Sequence, residues 1–226
     1  MSESHEFFNR QIKLWGEETQ ASLANKKVAI IGSGGLGCSL AIALGASGIG
    51  EFALVDFDEV GVHNIHRQIG FKVGDDGKFK ADILKELVES RCPYTKATSY
   101  IESFQEFAKR GLEFDLIIDG TDNLPTRAAI NEYCIKNNQP WIYGSVEEFH
   151  GQVCFFEKAS YEAVFVVNDR KPNGIACPIV MHIASLQANL AIRHLTGLPV
   201  KKDILYYLSF DNEGVLDTKR FNLPIS

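Results

Sequence analysis

The sequence predicts an α/β fold in which a Rossmann-like, doubly wound and mostly parallel sheet continues into antiparallel strands at its C-terminal edge. Short β-branched runs alternate with helical patterns over the first two thirds of the chain, as expected of parallel strands covered by helices. A glycine-rich turn joins the first of these strands to a helix. From residue 151 onward, strand-like runs follow one another around a single helix, which predicts the antiparallel edge.

The first βαβ unit is the clearest element. Residues 28–31 form a short apolar strand, the turn GSGGLG follows directly, and 38–47 are rich in alanine and leucine, which predicts a helix. Residues 51–56 supply the next strand and complete a unit of the usual length. The sheet therefore begins with a strand, a tight turn, a helix and a second strand.

The remaining elements continue this alternation and then leave it. Strands are predicted at 98–102, 115–119 and 141–144, with helices at 81–90 and 125–137. Further strands are predicted at 151–157, 162–167, 204–210 and 214–221, with one helix at 179–195. We assign residues 1–226 to a single domain, because the apolar faces of the later strands need the first half of the chain to cover them.

The composition is that of an ordinary globular protein. Of 226 residues, 45% are hydrophobic and 23% are charged, which excludes a disordered or collagen-like chain. The net charge of −6 gives no electrostatic reason to bind nucleic acid. No apolar run reaches the ~20 residues of a membrane span, and residues 1–9 lack the features of a signal peptide. We therefore expect a cytoplasmic protein without membrane contact.

The five cysteines predict reduced thiols rather than disulfides or a zinc site. They are odd in number and widely spaced, in a chain long enough to form a core without disulfides. No two of them form a Cys-x-x-Cys pair, so their spacing indicates no structural zinc. They are Cys38, Cys92, Cys134, Cys154 and Cys177.

The glycine-rich turn predicts a nucleotide site. Gly32, Gly34 and Gly37 allow the backbone to approach a phosphate, and the helix that follows offers unpaired N–H groups. Asp56 lies nineteen residues after Gly37, at the end of the next strand, where a carboxylate can accept hydrogen bonds from ribose hydroxyls. The glycines could instead serve a close helix–strand contact with no ligand, and they do not distinguish NAD from ATP.

Polar side chains that follow the predicted strands favour ATP. Because the carboxyl ends of parallel strands meet at one edge of a sheet, these side chains should lie near the glycine-rich turn. Nothing in the sequence marks a nicotinamide pocket or an acid–base pair for hydride transfer. The side chains concerned are Asp58, Asn64, Arg67, Gln68, Lys80 and Asp122.

Six short motifs occur in order between residues 9 and 123, within a likeness that runs from about residue 7 to 152. They are Asn9-Arg10-Gln11-Ile12, the GSGGLG turn, Leu54-Val55-Asp56-Phe57-Asp58, Asn64-x-x-Arg67-Gln68, Gly77-x-x-Lys80 and Thr121-Asp122-Asn123. In this order the motifs resemble the ThiF/MoeB/HesA family, bacterial relatives of the ubiquitin-activating enzymes. The resemblance implies a homodimer that uses ATP and magnesium to adenylate the C-terminal glycine carboxylate of a ubiquitin-like sulfur-carrier protein ending in Gly-Gly.

By this resemblance, the turn and the polar residues after the second strand bind the nucleotide. Asp56 would contact the ribose, while Asn64 and Arg67 would reach the phosphates. Lys80 takes the place of the family's α-phosphate lysine. The nucleotide-binding set is completed by Gly32, Gly34, Gly35, Gly37, Asp58 and Gln68.

The resemblance also assigns catalytic roles. Asp122 takes the place of the family's magnesium-binding aspartate, and a hard divalent ion prefers carboxylate and phosphate oxygens. Arg10 corresponds to an arginine that crosses the dimer interface to the partner's ATP. Arg67 and Lys80 would stabilise charge on the phosphates during adenylation. Arg127, five residues after Asp122, is predicted on the following helix, where it can line the same cleft.

Simpler interpretations remain open for single residues. Arg10, Arg67 and Lys80 could each be a solvated surface charge. Asp58 and Asp122 could be helix caps, because each follows a strand and side-chain oxygens commonly accept from the first N–H groups of a helix. Only the joint order of the motifs favours the site.

The C-terminal third departs from the family pattern. Many members hold zinc with two Cys-x-x-Cys pairs, which this sequence lacks, so we expect no zinc and strands held there by apolar packing alone. Cys177 is the one candidate for a cysteine that several members link covalently to the carrier. It follows a predicted loop at 172–174, and a thiol near a helix N-terminus can become nucleophilic. Cys177 could also be a small packed residue.

These observations predict an ATP-dependent adenylyltransferase that activates a sulfur carrier for thiamine or molybdenum-cofactor synthesis. One alternative is activation of another carboxylate, on a modified tRNA base or a peptide. The others are a catalytically silent nucleotide-binding partner and an NAD-binding redox regulator. A carrier would need an apolar patch, for which the candidates are Phe149, Phe155, Phe156 and Phe165.

Overall fold

Eight strands form one sheet in the computed structural model, which describes residues 3–166 and 174–225. The strands are β1 (Lys27–Ile31), β2 (Glu51–Val55), β3 (Lys96–Tyr100), β4 (Leu116–Asp119), β5 (Trp141–Glu147), β6 (His150–Phe156), β7 (Ile204–Phe210) and β8 (Leu216–Asn222). Their order across the sheet is β3-β2-β1-β4-β5-β6-β7-β8.

The pairing of these strands confirms the predicted fold class. Strands β1 to β5 pair in parallel, and the pairs from β5 to β8 are antiparallel. The parallel register places Ile31 beside both Val55 and Asp119. The ends of β1, β2 and β4 therefore lie side by side at one edge of the sheet.

Eight α-helices accompany the sheet within the described residues. They are α1 (Glu3–Phe7), α2 (Asn9–Trp15), α3 (Glu17–Leu23), α4 (Gly35–Leu44), α5 (Lys80–Arg91), α6 (Phe104–Ala108), α7 (Leu124–Lys136) and α8 (Cys177–Leu195). Short 3-10 segments lie at Val62–Asn64, Val73–Asp75 and Tyr161–Ala163. None of the described helices is long and apolar enough to cross a bilayer.

The helices cover both faces of the sheet. Successive side chains of a strand point to opposite faces, so each strand contributes to two separate cores. On one face, Ile30 and Leu54 belong to a core with the apolar side chains of α4, α5 and α8. On the other face, Ile31 and Val55 belong to a core with side chains of α6 and α7. Burial on both sides explains why β1 and β2 are apolar at every position after the exposed first residue.

Two predicted elements are displaced along the chain. The helix predicted at 38–47 is α4, which begins earlier, at Gly35, within the glycine-rich turn. The strand predicted at 98–102 is β3, which lies two residues earlier because its parallel pairing sets Lys96 opposite Glu51. The early start of α4 makes the turn itself part of the helix N-terminus.

The strand predicted at 162–167 is wrong. The segment begins with the 3-10 turn at Tyr161–Ala163, and residue 167 lies outside the described part of the chain. Tyr161 is fully buried, and its backbone N–H donates to Asn131 Oδ1 of α7 at 3.0 Å. This contact holds the segment against a helix rather than in the sheet. The loop predicted at 172–174 also lies outside the described residues, apart from Gly174.

The short helices α1, α2, α3 and α6 have no counterpart among the predicted elements. Each has five to seven residues, which is too short for an apolar period to become visible. The capping box of α6 is the one local pattern that marks such a helix: Ser103 Oγ accepts from the backbone N–H of Glu106, and the Glu106 carboxylate accepts from that of Ser103.

Apolar packing along the C-terminal strands holds for β7 but is wrong for β8. Leu205 and Leu208 of β7 are buried, whereas every residue of β8 is exposed. Strand β8 is paired with β7 along its whole length. Backbone hydrogen bonding, rather than a core, therefore holds this edge strand.

The aromatic patch predicted for a carrier is wrong for most of its members. Phe155 and Phe156 lie in the core, and only Phe149, at 65% exposure, is at the surface. Phe165 packs on the ring of Tyr161 with 4.7 Å between ring centroids. Aromatic residues on a strand that is buried on both faces pack in the core and are not available to bind a partner.

Candidate active site

A cleft of about 660 Å³ opens at the sheet edge where β1, β2 and β4 end. Ile31, Val55 and Gly120, at these strand ends, form part of its wall. The strand order runs outward from β1 in both directions, and such switch points are where open α/β sheets bind ligands. The cleft-lining residues that the sequence predicts are Gly32, Gly34, Gly35, Asp56, Asp58, Arg67, Gln68, Lys80 and Asp122.

Most glycines of the turn are required by internal packing. A Cβ on Gly37 would lie 2.0 Å from the carbonyl oxygen of Gly32, and one on Gly35 would lie 2.8 Å from Val180 Cγ1. Gly32 has a φ of +90°, and its Cβ would lie 2.8 Å from the carbonyl carbon of Gly120. The turn is thus wedged between β1, β4 and α8, and Gly37 is buried beneath it.

Gly34 is different, because no close contact excludes a side chain there. A Cβ on Gly34 would meet no atom closer than Gln68 Nε2, at 3.6 Å, and Gly34 lines the cleft. In the part of the chain that the structure describes, no side chain caps the N-terminus of α4, so its first N–H groups remain available to a ligand. An open backbone at a helix N-terminus fits an anion such as a phosphate.

Asp56 joins the turn to the end of β2. Its Oδ2 accepts the backbone N–H of Ser33 at 2.6 Å, and its Oδ1 accepts that of Asp58 at 2.7 Å. Burial raises the pKa of Asp56 above its usual value, while the two N–H donors act in the opposite direction. The carboxylate therefore holds the turn in place and still lines the cleft.

The raised pKa of Asp56 predicts a pH effect on nucleotide binding. In the predicted nucleotide site, a ribose hydroxyl would donate to the ionised carboxylate of Asp56. Affinity for ATP should then fall as the pH drops through the raised pKa, which lies above the usual value of 3.8. Titrating ATP at stepwise lower pH would measure this. Asp56→Asn should bind ATP weakly, and its affinity should depend less on pH. This control separates the titration of the Asp56 carboxylate from that of the ATP phosphates. If the affinities of both proteins depended on pH in the same way, the prediction would be contradicted.

Lys80 and Asp58 form a unit at the start of α5. The Lys80 backbone N–H donates to the carbonyl of Asp58 at 3.0 Å, and its Nζ donates to Asp58 Oδ2 at 2.8 Å. The Lys80 side chain is 7% exposed, so the alternative interpretation of Lys80 as a solvated surface charge is wrong. Asp58 fixes the direction of Lys80 and does not cap a helix.

Arg67 is held in a similar way by its neighbours. Its Nη2 donates to Asn64 Oδ1 at 3.3 Å, and its Nη1 lies 2.9 Å from His66 Nε2. Asn64 does not line the cleft and reaches it only through Arg67. Gln68 is buried and lines the cleft, and within the described residues its Oε1 has no hydrogen-bond partner. A bound ligand could donate a hydrogen bond to this buried oxygen, which makes Gln68 a second place for ligand contact besides Gly34.

Asp122 lies in the loop that joins β4 to α7. It is exposed and lines the cleft. The interpretation of Asp122 as a helix cap is wrong, because Asn123 caps α7: its Oδ1 accepts the backbone N–H of Thr126 at 2.9 Å. Within the described residues, no group of three or more His, Cys, Asp or Glu side chains could hold a metal ion. A single carboxylate fits magnesium that arrives with phosphates.

Arg10 and Cys177 do not line the cleft. Arg10 is exposed on α2, and its neighbour Gln11 donates to the carbonyl of Ser47 beyond the far end of α4. Cys177 is the half-buried first residue of α8, two residues after Ile175, which does line the cleft. The roles of both residues remain predictions.

Three other cysteines are inert thiols of the core. Burial raises the pKa of Cys38 to about 12 and also raises the pKa values of Cys134 and Cys154. A protonated, buried thiol is a poor nucleophile. All five cysteines are free of disulfides, as expected.

Several residues that line the cleft belong to no recognisable sequence motif. Ser145, Glu147 and Gln152 enter its wall from β5 and β6. Polar residues near the ends of strands resemble ordinary surface positions, so only the pairing of β5 with β6 identifies them. Arg127, predicted to line the cleft, does so, but its side chain is 6% exposed and paired with Asp119.

The sheet and this cleft define a Rossmann-like α/β protein with a site at the switch point beside a glycine-rich turn. Comparison with known families is more specific. The ThiF family matches residues 8–224, and the chain belongs to that family.

Relatives at the level of sequence are named as adenylyltransferases. The adenylyltransferase and sulfurtransferase MOCS3 of Dictyostelium discoideum is 35% identical over 194 residues, covering 80% of this chain and 46% of its own. The sulfur carrier protein adenylyltransferase of Thermus thermophilus is 33% identical over 143 residues, covering 62% of this chain and 53% of its own. The chain spans about half the length of these relatives.

Solved structures share the fold at lower identity. E. coli MccB in complex with succinimide matches with a TM-score of 0.85 and 22% identity, covering 100% of this chain and 73% of that one. E. coli MccB with ATP matches with a TM-score of 0.84 and 22% identity, covering 97% and 72%. At this identity the likeness concerns the fold alone.

Proposed function

We propose that the protein is an ATP-dependent adenylyltransferase that activates the C-terminal glycine carboxylate of a small ubiquitin-like sulfur carrier. The observation that carries the proposal is the convergence of Gly34, Asp56, Arg67, Lys80 and Asp122 on one cleft in a chain of the ThiF family. The names of the adenylyltransferase relatives support the same reaction.

The reaction needs positioning and charge stabilisation rather than a protein nucleophile. An oxygen of the carrier carboxylate bonds to the α-phosphorus of ATP. The bond from that phosphorus to the bridging oxygen breaks, and pyrophosphate leaves with the electron pair. Charge on the phosphate oxygens rises in the transition state, and fixed cations and N–H groups stabilise it.

The residues of the cleft suit these tasks. Asp56 accepts from the ribose, the open backbone at Gly34 lies against the phosphates, and Lys80 and Arg67 supply positive charge that Asp58 and Asn64 orient. Asp122 would hold a magnesium ion together with the phosphates. That ion would supply charge neutralisation at the leaving pyrophosphate.

Arg10 supports a homodimer in this proposal. It lies on α2, outside the cleft of its own chain, so a contact with ATP would have to be made in the partner subunit. Planar guanidinium suits such a phosphate contact. The free cysteines support a cytoplasmic location, and sulfur transfer for thiamine or molybdenum-cofactor synthesis is the setting we propose.

The proposal is tested by exchange of labelled pyrophosphate into ATP. Exchange should require magnesium and a carrier ending in Gly-Gly, and a carrier lacking its last glycine is the matched control. ATP binding without exchange for any carrier would favour a silent partner, and preferential binding of NAD would favour a redox regulator. Exchange driven by a peptide or a modified tRNA base would move the activity to another carboxylate. Co-purification from the native cell would identify the carrier.

A further inference from the structure

Beneath the cleft, Asp119 and Arg127 form an ion pair that is almost completely buried. The Asp119 side chain is 0% exposed and that of Arg127 is 6% exposed, and Arg127 Nε donates to Asp119 Oδ2 at 3.1 Å. Burying two charges carries a desolvation penalty that their attraction does not reliably recover. Such a pair is better explained by the geometry that it fixes than by stability.

Both partners hold Thr121, the residue immediately before Asp122. Asp119 Oδ1 accepts the backbone N–H of Thr121 at 2.8 Å and its hydroxyl at 2.6 Å. Arg127 Nη2 donates to the carbonyl oxygen of Thr121 at 2.7 Å. The amide, the hydroxyl and the carbonyl of one loop residue are therefore all fixed by the buried pair.

Arg127 also connects this loop to the rest of the cleft wall. Its Nη2 donates to the carbonyl of Gly144 at 3.0 Å, and its Nη1 donates to Ser145 Oγ of the cleft wall at 3.4 Å. From α8, Gln187 Nε2 donates to the carbonyl of Asp119 at 2.8 Å. The network joins β4, β5, α7 and α8 around the start of the loop.

Asp122 takes no part in this network. Among the described residues its carboxylate has no hydrogen-bond or ion-pair partner, so its own contacts do not orient it. Its backbone is fixed from both sides instead: Thr121 is held by the buried pair, and Asn123 caps α7. The carboxylate is thereby presented to the cleft on a rigid backbone.

We propose that Arg127 is a positioning residue, which together with Asp119 holds the Asp122 carboxylate where it binds the magnesium of bound ATP. This inference rests on the proposed function. A guanidinium is needed because it reaches a carboxylate and two carbonyls from one planar group. Lysine, a point charge, could pair with Asp119 but not maintain all three contacts.

The first test is a binding measurement that does not depend on turnover. Calorimetry gives the affinity of the full chain for ATP with magnesium and with EDTA. The wild type should prefer the magnesium complex by roughly tenfold, the size of one charge-assisted contact. Arg127→Lys should lose most of that preference while its affinity for metal-free ATP stays within about threefold. Arg220→Lys, an exposed substitution on β8, is the matched control.

The second test uses non-additivity in the exchange reaction. Arg127→Lys should lower the exchange rate by roughly 100-fold, which is the effect of a displacement of about 1 Å at a catalytic group. In an Asp122→Ala background the same substitution should add almost nothing, because the group that it positions is absent. Independent, multiplicative losses would overturn the proposal.

Other outcomes are also decisive. Equal loss of magnesium-bound and metal-free ATP affinity, or a wild type indifferent to magnesium, would overturn the proposal. If Arg127→Lys does not fold, Thr121→Val is the second variant, because it removes only the hydroxyl contact with Asp119. It should lower the preference for magnesium-bound ATP by a few fold. An unchanged preference would overturn the proposal. Failure of the proposed function is distinguished by a wild type that gives no exchange with any carrier.

Discussion

Asp122→Ala is expected to lower carrier-dependent pyrophosphate exchange by roughly 1,000-fold, the upper range for loss of one preorganised electrostatic group. The carboxylate is exposed to the cleft, has no protein partner to replace among the described residues, and is the group that would hold magnesium. Affinity for ATP in the presence of EDTA should stay within about threefold, because ribose and phosphate contacts come from other residues. The loss therefore belongs to the chemical step and to metal binding.

The same substitution should leave the fold unchanged, which separates a metal ligand from a structural residue. Asn123, not Asp122, caps α7, so the melting temperature should match that of the wild type. Glu18→Ala, on the exposed first turn of α3, removes a charge of the same sign far from the cleft and should retain full exchange. Exchange by Asp122→Ala within tenfold of the wild type would remove Asp122 from the metal site.

The residues whose place in the cleft wall can be predicted from the sequence are those that closely follow a strand. Asp56, Asp58 and Asp122 closely follow strands whose apolar pattern is clear, and parallel strands bring their carboxyl ends to one edge. Lys80, at the start of α5, reaches the same edge through its ion pair with Asp58. Their convergence on a cleft follows from topology, so motif order and strand alternation are sufficient to predict it. Gly34 belongs to the same set, since a turn directly after β1 cannot lie elsewhere.

What the sequence does not disclose depends on tertiary pairing. Asp119 is the last residue of an apolar strand, and nothing local shows that Arg127 lies opposite it. Likewise Gln187 reaches the backbone of Asp119 from α8, 68 residues away. The packing of the helices on the sheet determines which residues become partners. The spacing of residues within either element does not predict that packing.

Short elements are unpredictable for a different reason. Residues 162–167 have a β-rich composition that predicts a strand, but the segment begins with the turn at Tyr161–Ala163, where the buried contact of Tyr161 with Asn131 of α7 overrides that propensity. Helices α1 to α3 have only five to seven residues, and their stability comes from tertiary contacts. In both cases the deciding interaction lies outside the segment.

The glycine-rich turn combines two separable requirements, one of folding and one of binding. Gly37 lies against the backbone of Gly32, where a Cβ would come within 2.0 Å of a carbonyl oxygen. Backbone cannot move aside as a flexible side chain would, so the turn would have to open. Gly34 faces the cleft, and the atom nearest to a Cβ added there would be Gln68 Nε2, at an ordinary contact distance of 3.6 Å.

Gly37→Ala is therefore expected to destabilise the fold by at least about 4 kcal/mol, a size reserved for steric conflict in the core. For a chain of this length that corresponds to a fall of roughly 8–16 °C in melting temperature. Gly34→Ala should melt within about 2 °C of the wild type and lose ATP affinity by roughly 10- to 100-fold, because its methyl group occupies the approach to the phosphates.

Gly74→Ala provides the matched control for both, since nothing lies within 4 Å of its Cβ position and its φ is not left-handed. It should change neither melting temperature nor ATP affinity. The decisive comparison is between Gly34→Ala and Gly37→Ala in the same two measurements. If Gly34→Ala bound ATP as tightly as the wild type, the backbone at this turn would not contact the phosphates, and the glycine pattern would reduce to a packing device between β1 and α4.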